Sequence, residues 1–199
     1  MDYWYAHWGP FLFRSQITED ECQVLLKEGN KYRKKSNDYR HELAGQLSEE
    51  YQLEDTKSFV SWFGKYINIY SNAYNKWHHQ NSQNITLNNP FVVDARWINY
   101  MKANDFNPPH DHHGDLSFVI FLQIPKDLNT ENKEYKGRSC GPGGITFVYG
   151  DGTRQATTQH DFYPKEKDIF IFPAWLKHWV YPFKSNIERI SVSGNILLS

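Results

Sequence analysis

Apolar residues recur along the first half of the chain at steps of three and four: Phe59, Trp62, Phe63, Tyr66, Ile67, Tyr70, Tyr74 and Trp77 make one stripe. That period is helical and predicts a helix of about five or six turns whose apolar face buttresses a sheet. Upstream, Thr18-Glu19-Asp20-Glu21 reads as a capping box, in which the Thr18 and Glu21 side chains each answer a free backbone N–H. Cys22, Leu25 and Leu26 follow on one face, so a helix is expected over about residues 19–33. Its end carries Lys31, Arg33, Lys34 and Lys35, a run read as solvated. Residues 36–54 are mixed and polar, and residues 78–90 are rich enough in Asn, Gln and Ser to read as a loop.

The pattern changes near residue 91. Short runs rich in β-branched and aromatic residues follow: FVVDARWINYM, LSFVIFLQI, GITFVYG, DIFIF, HWVYPF and RISVSGNIL. Strands of this length separated by turns predict an α+β fold, an antiparallel sandwich or barrel with helices on one sheet. The polar stretch from Pro125 to Gly144 reads as a solvated excursion. One domain is expected over residues 1–199, with 1–90 mainly helical and 91–199 the β part.

Composition narrows the function classes. A chain of 199 residues, 39% hydrophobic, can bury roughly 70% of its unfolded surface. Its core needs no metal staple, so any metal is free to be functional. A net charge of −1, from 22 Lys+Arg against 23 Asp+Glu, argues against a chain-wide nucleic-acid footprint. Cys22 and Cys140 are far apart and fit a reducing compartment, with the cytoplasm as the expected location. The aromatic start has no basic leader pattern, and no apolar run approaches membrane-spanning length. The triplet Asn84-Ile85-Thr86 is given no role.

Histidine placement carries the chemistry. His110, His112 and His113 crowd just before the run LSFVIFL. In extended backbone, residues two apart share a side, so His110 and His112 can reach one point while Asp111 turns away. The third donor is read as His178, in FPAWLKH, where an apolar strand ends and an antiparallel return can bring the imidazole back. Imidazoles from adjacent strands suit iron, zinc, copper or nickel and leave coordination positions open. Downstream, alternation puts Ile190 and Val192 on one face and Arg189, Ser191 and Ser193 on the other. Outside, that polar face would be ordinary; inside a barrel, Arg189 would be a buried charge asking for an anion such as a small dicarboxylate.

His110-x-His112, His178 and Arg189-x-Ser191, with the Trp97-Ile98-Asn99 strand, resemble the Fe(II)- and 2-oxoglutarate-dependent oxygenases. The closest resemblance is to a branch carrying H-x-H, FP-x(4)-H and R-x-S-x-S. It covers residues 91–198 well and 1–90 loosely. It implies a double-stranded β-helix, a jelly-roll or cupin-like barrel buttressed by the N-terminal helices. It further implies Fe(II) on His110, His112 and His178, and 2-oxoglutarate as co-substrate beside O2, with Arg189, Ser191 and Asn99 in its site. The activity implied is hydroxylation of a C–H bond in a protein or peptide side chain, or in a small molecule. His112 stands where the family usually has a carboxylate. Two other registers stay open: Asp115, from the literal His113-Gly114-Asp115, or two histidines with water. Asp111 is then an acceptor for a ligand N–H or a solvent group.

Two other classes compete, a cupin-type three-histidine metalloenzyme without 2-oxoglutarate and a non-enzymatic jelly-roll binding module. Pro173 and His178 match part of the second motif of the first class, but the Glu it expects shortly after H-x-H is missing here and it gives Arg189-x-Ser191 no role. His160-Asp161, beside Tyr163-Pro164, reads as a turn, His78-His79 as a helix end, and His7 and His41 as isolated. Gly141-Pro142-Gly143-Gly144 precedes a strand and is not a phosphate loop. Trp175, Trp179 and Tyr181 are expected to rim the mouth of the site.

Overall fold

The capping box closes as the sequence predicts: Thr18 N–H donates to Glu21 Oε2 at 2.8 Å, and Glu21 N–H to Thr18 Oγ1 at 3.3 Å. The structure, a computed structural model, describes residues 9–35, 37–80, 86–88 and 90–199. His7 in the aromatic start, Asn84 and Ile85 of the triplet, and much of the expected 78–90 loop lie outside them. The elements run in the order β1 (Phe13–Gln16), α1 (Glu19–Lys35), β2 (Glu49–Gln52), α2 (Thr56–Gln80), β3 (Phe91–Met101), β4 (Asn107–His110) and β5 (Leu116–Gln123). They continue with α3 (Leu128–Glu134), β6 (Ile145–Val148), β7 (Gln159–Phe162), β8 (Asp168–Pro173), β9 (Lys177–Val180) and β10 (Arg189–Leu198).

Two antiparallel sheets result, one ordered β1-β8-β5-β10-β3-β2 and the other β4-β9-β6-β7. Side-chain alternation separates two cores. On the outer face of the larger sheet, Ile98, Phe118, Ile120 and Val192 meet Leu25 of α1 and Phe59, Phe63, Ile67 and Tyr70 of α2. Phe63 and Phe118 lie 4.7 Å apart by ring centroid, so the aromatic stripe does buttress a sheet. Between the sheets, Val119, Phe121, Phe147, Phe170, Phe172 and Val180 form the second core. Both cysteines are buried and unpaired.

Several expectations need correction. α2 extends through His78 and His79 to Gln80, about seven turns at 3.6 residues each. β1, β2, β4 and β7 were not anticipated, because FRSQ, EEYQ, NPPH and QHDF carry little apolar alternation. His160 and Asp161 are strand residues, paired with Phe147 and Thr146, rather than a turn. The Pro125–Gly144 stretch contains α3 and is anchored by buried Leu128 and Cys140. At the end of α1, Arg33 is engaged by Glu49 and Glu188 and stacks over Tyr100, so the basic run is only partly solvated.

Candidate metal centre and co-substrate pocket

β4 and β9 lie side by side at the open end of the smaller sheet, with His110 opposite His178 in register. His112 follows two residues beyond β4. The turn that carries it is docked through backbone: His112 N–H donates to Ala174 O at 2.9 Å, and Ala174 N–H to Asp115 O at 3.0 Å. Gly114 makes this docking possible, because its φ of +99° is one that residues with a Cβ rarely adopt. The rings of His110, His112 and His178 stand 4.3–5.1 Å apart by centroid. One donor atom from each falls within 4.8 Å of the others, a convergence that the described His, Cys, Asp and Glu residues make only here.

Local backbone orients two of the rings. The Nδ1 atoms of His110 and His178 lie 2.7 Å from Pro108 O and 2.9 Å from Leu176 O. A carbonyl only accepts, so each Nδ1 carries the proton and each Nε2 keeps its lone pair for a metal. The acceptors are carbonyls two residues upstream, not Asp111, which is exposed. Burial lowers the pKa of all three imidazoles, taking His112 down to about 3 with help from neighbouring His110 and His113, and His178 well below its usual range. The cluster is therefore a set of neutral nitrogen donors at neutral pH. That donor set fits Fe(II) with coordination positions left over.

Deeper between the sheets, Arg189 opens β10 opposite Met101 and is 3% exposed. Its guanidinium lies 4.7 Å from the centre of the Phe121 ring and 3.3 Å from Met101 Sδ, a weak acceptor. Its Nε has no partner among the described residues. Burial alone pulls its pKa down to about 9. Across the strand pair, Asn99 Nδ2 donates to Ser191 Oγ at 3.3 Å, which leaves the Ser191 hydroxyl proton free to donate, while Asn99 Oδ1 stays buried and unanswered. One cavity is lined by His110, His112, His178, Asn99, Arg189 and Ser191 together. A buried cation without an anion, facing neutral metal donors, fits a carboxylate-bearing chelator.

The other candidates separate from this cluster. Asp115 is exposed and its carboxylate accepts from Leu198 N–H at 2.7 Å, so it does not complete the metal set. Trp179 alternates with inward-facing His178 and lies on the outer face of the smaller sheet near Tyr181, while Trp175 is exposed against Tyr149. The mouth is walled instead by Trp97 and by Tyr39, whose rings are 6.3 Å apart. Glu50, 2% exposed on β2 and opposite Asn99, also faces this end of the barrel. Tyr39 and Glu50 leave no signal in the sequence, because both lie in the polar 36–54 stretch and nothing in its pattern marks an inward face.

Residues 95–195, half of the chain, match the model of the family described as "Putative 2OG-Fe(II) oxygenase". The chain belongs to this family. Its members use Fe(II), 2-oxoglutarate and O2, and the oxygenase is by that class an oxidoreductase. No curated protein matches by sequence. Among solved structures, a Pseudomonas putida prolyl-4-hydroxylase is 14% identical with a TM-score of 0.60, over 94% of this chain and 92% of that one. SnoN, a non-heme α-ketoglutarate-dependent epimerase from nogalamycin biosynthesis, is 10% identical with a TM-score of 0.57, over 94% and 78%. A Trichoplax adhaerens prolyl hydroxylase, in complex with a hypoxia-inducible-factor peptide fragment, is 8% identical with a TM-score of 0.53, over 96% and 83%. At such identities the likeness concerns the fold, the double-stranded β-helix.

Proposed function

We propose that this oxygenase is a hydroxylase whose metal ligands are His110, His112 and His178 and whose co-substrate anchor is Arg189. The observation that carries the reading is Arg189 itself, an enclosed guanidinium with no carboxylate partner among the described residues, in the same cavity as three neutral imidazoles. Bound iron and 2-oxoglutarate supply oxidation of a substrate C–H bond by O2, one oxygen atom entering the product hydroxyl and the other the succinate formed with CO2. The chain's own contribution is placement. Arg189 would hold a carboxylate of the co-substrate, Ser191 would donate to the same group, and Asn99 fixes Ser191. The His110 and His178 carbonyl contacts keep Nε2 deprotonated, and the Phe147 and Phe172 rings, 5.7 and 4.9 Å from the His178 ring, exclude water from that side. The substrate C–H bond comes from a peptide side chain or a small molecule; two prolyl hydroxylases among the structural neighbours, one of them bound to a peptide, support the first.

A metalloenzyme of the cupin type or a sugar-binding jelly roll leaves Arg189 buried without purpose. Anaerobic titration of the Fe(II)-loaded protein with 2-oxoglutarate tests the proposal. A visible charge-transfer band should grow to one equivalent in the wild type and be lost in Arg189→Ala. Metal binding without that band would favour the cupin-type enzyme, and absence of metal binding the binding module.

A further inference from the structure

A second cavity of about 380 Å³ opens beside the metal donors and shares His110, His112, Trp97 and Asn107 with the co-substrate pocket. Its formal charges have one sign. Four of its lining residues are acids, Glu42, Glu50, Asp94 and Asp111, and none is Lys or Arg. Three of the acids lie at the exposed rim, but Glu50 is different. It is 2% exposed, it sits opposite Asn99 in register, and its Oε2 has no hydrogen-bond partner among the described residues. The nearby guanidinium of Arg40 is occupied by Asp38 at 2.6 Å and by Ser48 O at 3.2 Å. Desolvation pushes the Glu50 carboxyl up to about 7, and the charge of Arg40 offsets this only in part.

The surroundings of Glu50 discriminate between cations. A hard metal ion asks for six or more oxygens, and here one enclosed carboxylate stands near two aromatic rings. Tyr39 and Trp97 are tilted by 42° to each other, and Trp97 lies 5.6 Å from the His112 ring. Aromatic faces suit an ammonium or guanidinium on an aliphatic arm. The arch over the cavity is fastened at both ends, by the Asp38–Tyr51 and Gln46–Phe106 bridges, so these walls are built in.

We infer that the prime substrate is cationic, a basic amino-acid side chain, free or within a peptide, whose charged head is received by Glu50 while its aliphatic carbons face the metal donors. This rests on the oxygenase reading above and assigns Glu50 as its specificity residue. The test is calorimetric titration of anaerobic Fe(II)- and 2-oxoglutarate-loaded protein with matched pairs. One pair is L-arginine and L-citrulline; the other is N-acetyl-lysine amide and N-acetyl-norleucine amide, so the free and peptide-like sources are read separately. At least one cation should bind tenfold or more tighter than its neutral partner, and in Glu50→Gln that ratio should fall to within about threefold. Equal affinity within both pairs, no binding by any probe, or a ratio that survives Glu50→Gln overturns the inference. The wild-type pairs decide it even if the variant does not fold. Failure of 2-oxoglutarate to bind in the same cell overturns the oxygenase reading and the inference with it; normal binding there with no preference for cations overturns the inference alone.

Discussion

A guanidinium enclosed without an anion among the described residues costs the protein stability, whereas, in the anchoring role proposed above, a bound co-substrate would turn the same group into a charge-assisted contact. Arg189→Met should therefore act in opposite directions. Thermal unfolding of the apo protein should rise by roughly 2–8 °C, from about 1–3 kcal/mol of relieved desolvation. Affinity for 2-oxoglutarate, measured calorimetrically with metal present, should fall by about 2–4 kcal/mol. Glu50 gives a pH signature of its own. Its carboxyl is held above the unfolded-state value, so its stabilising contribution is complete below about 4.5 and is lost as pH rises towards about 7. Glu50→Gln lacks this loss. Urea titrations should find it more stable than wild type by about 2–3 kcal/mol at pH 8, with the difference vanishing near pH 4.

Elements were legible where alternation or helical period was strong. The run from Phe91 to Met101 becomes β3 with the expected boundaries, and RISVSGNIL becomes β10, because β3 from Arg96 onward and β10 from Arg189 to Ile196 are buried on both faces at nearly every position. The four missed strands are four residues long and polar, and backbone pairing holds them rather than side-chain burial. That is why the convergence of His110, His112 and His178 and the inward placement of Arg189 could be read from strand ends and alternation, while the buried position of Glu50 on EEYQ could not. The outer layer offers an independent check on the packing of helices against the larger sheet. Gly29 of α1 sits so close to β3 that a Cβ there would overlap Ile98 Cδ1 and Tyr100 Oη. Overpacking costs about 1–3 kcal/mol against less than about 1 kcal/mol gained in helix propensity. Gly29→Ala should thus lower thermal stability by a net 1–2 kcal/mol, about the balance of those two effects, and leave metal and 2-oxoglutarate affinities unchanged.

Across the whole molecule, two apolar cores carry the fold, and the three converging histidines lie at the margin of the second, which His178 meets through Phe147 and Phe172. Chelator should therefore leave the far-ultraviolet circular dichroism intact. Added Fe(II) should raise the unfolding temperature with concentration, by about 2.7 kcal/mol at a hundredfold excess over Kd. His178→Ala should keep the circular dichroism and abolish that increment; a collapsed spectrum would show that the imidazole is structural. Within this stable frame β4 is the weak seam. Its centre is Pro108-Pro109, which has no N–H to offer, and it meets β9 only at Asn107–Val180 and His110–His178. An ion held by His110 and His178, as proposed, would span that seam like a clasp on a loose cuff. Loading with iron would then quiet the breathing of the barrel rim, and amide exchange at His110 and the turn to Asp115 would slow in step with occupancy.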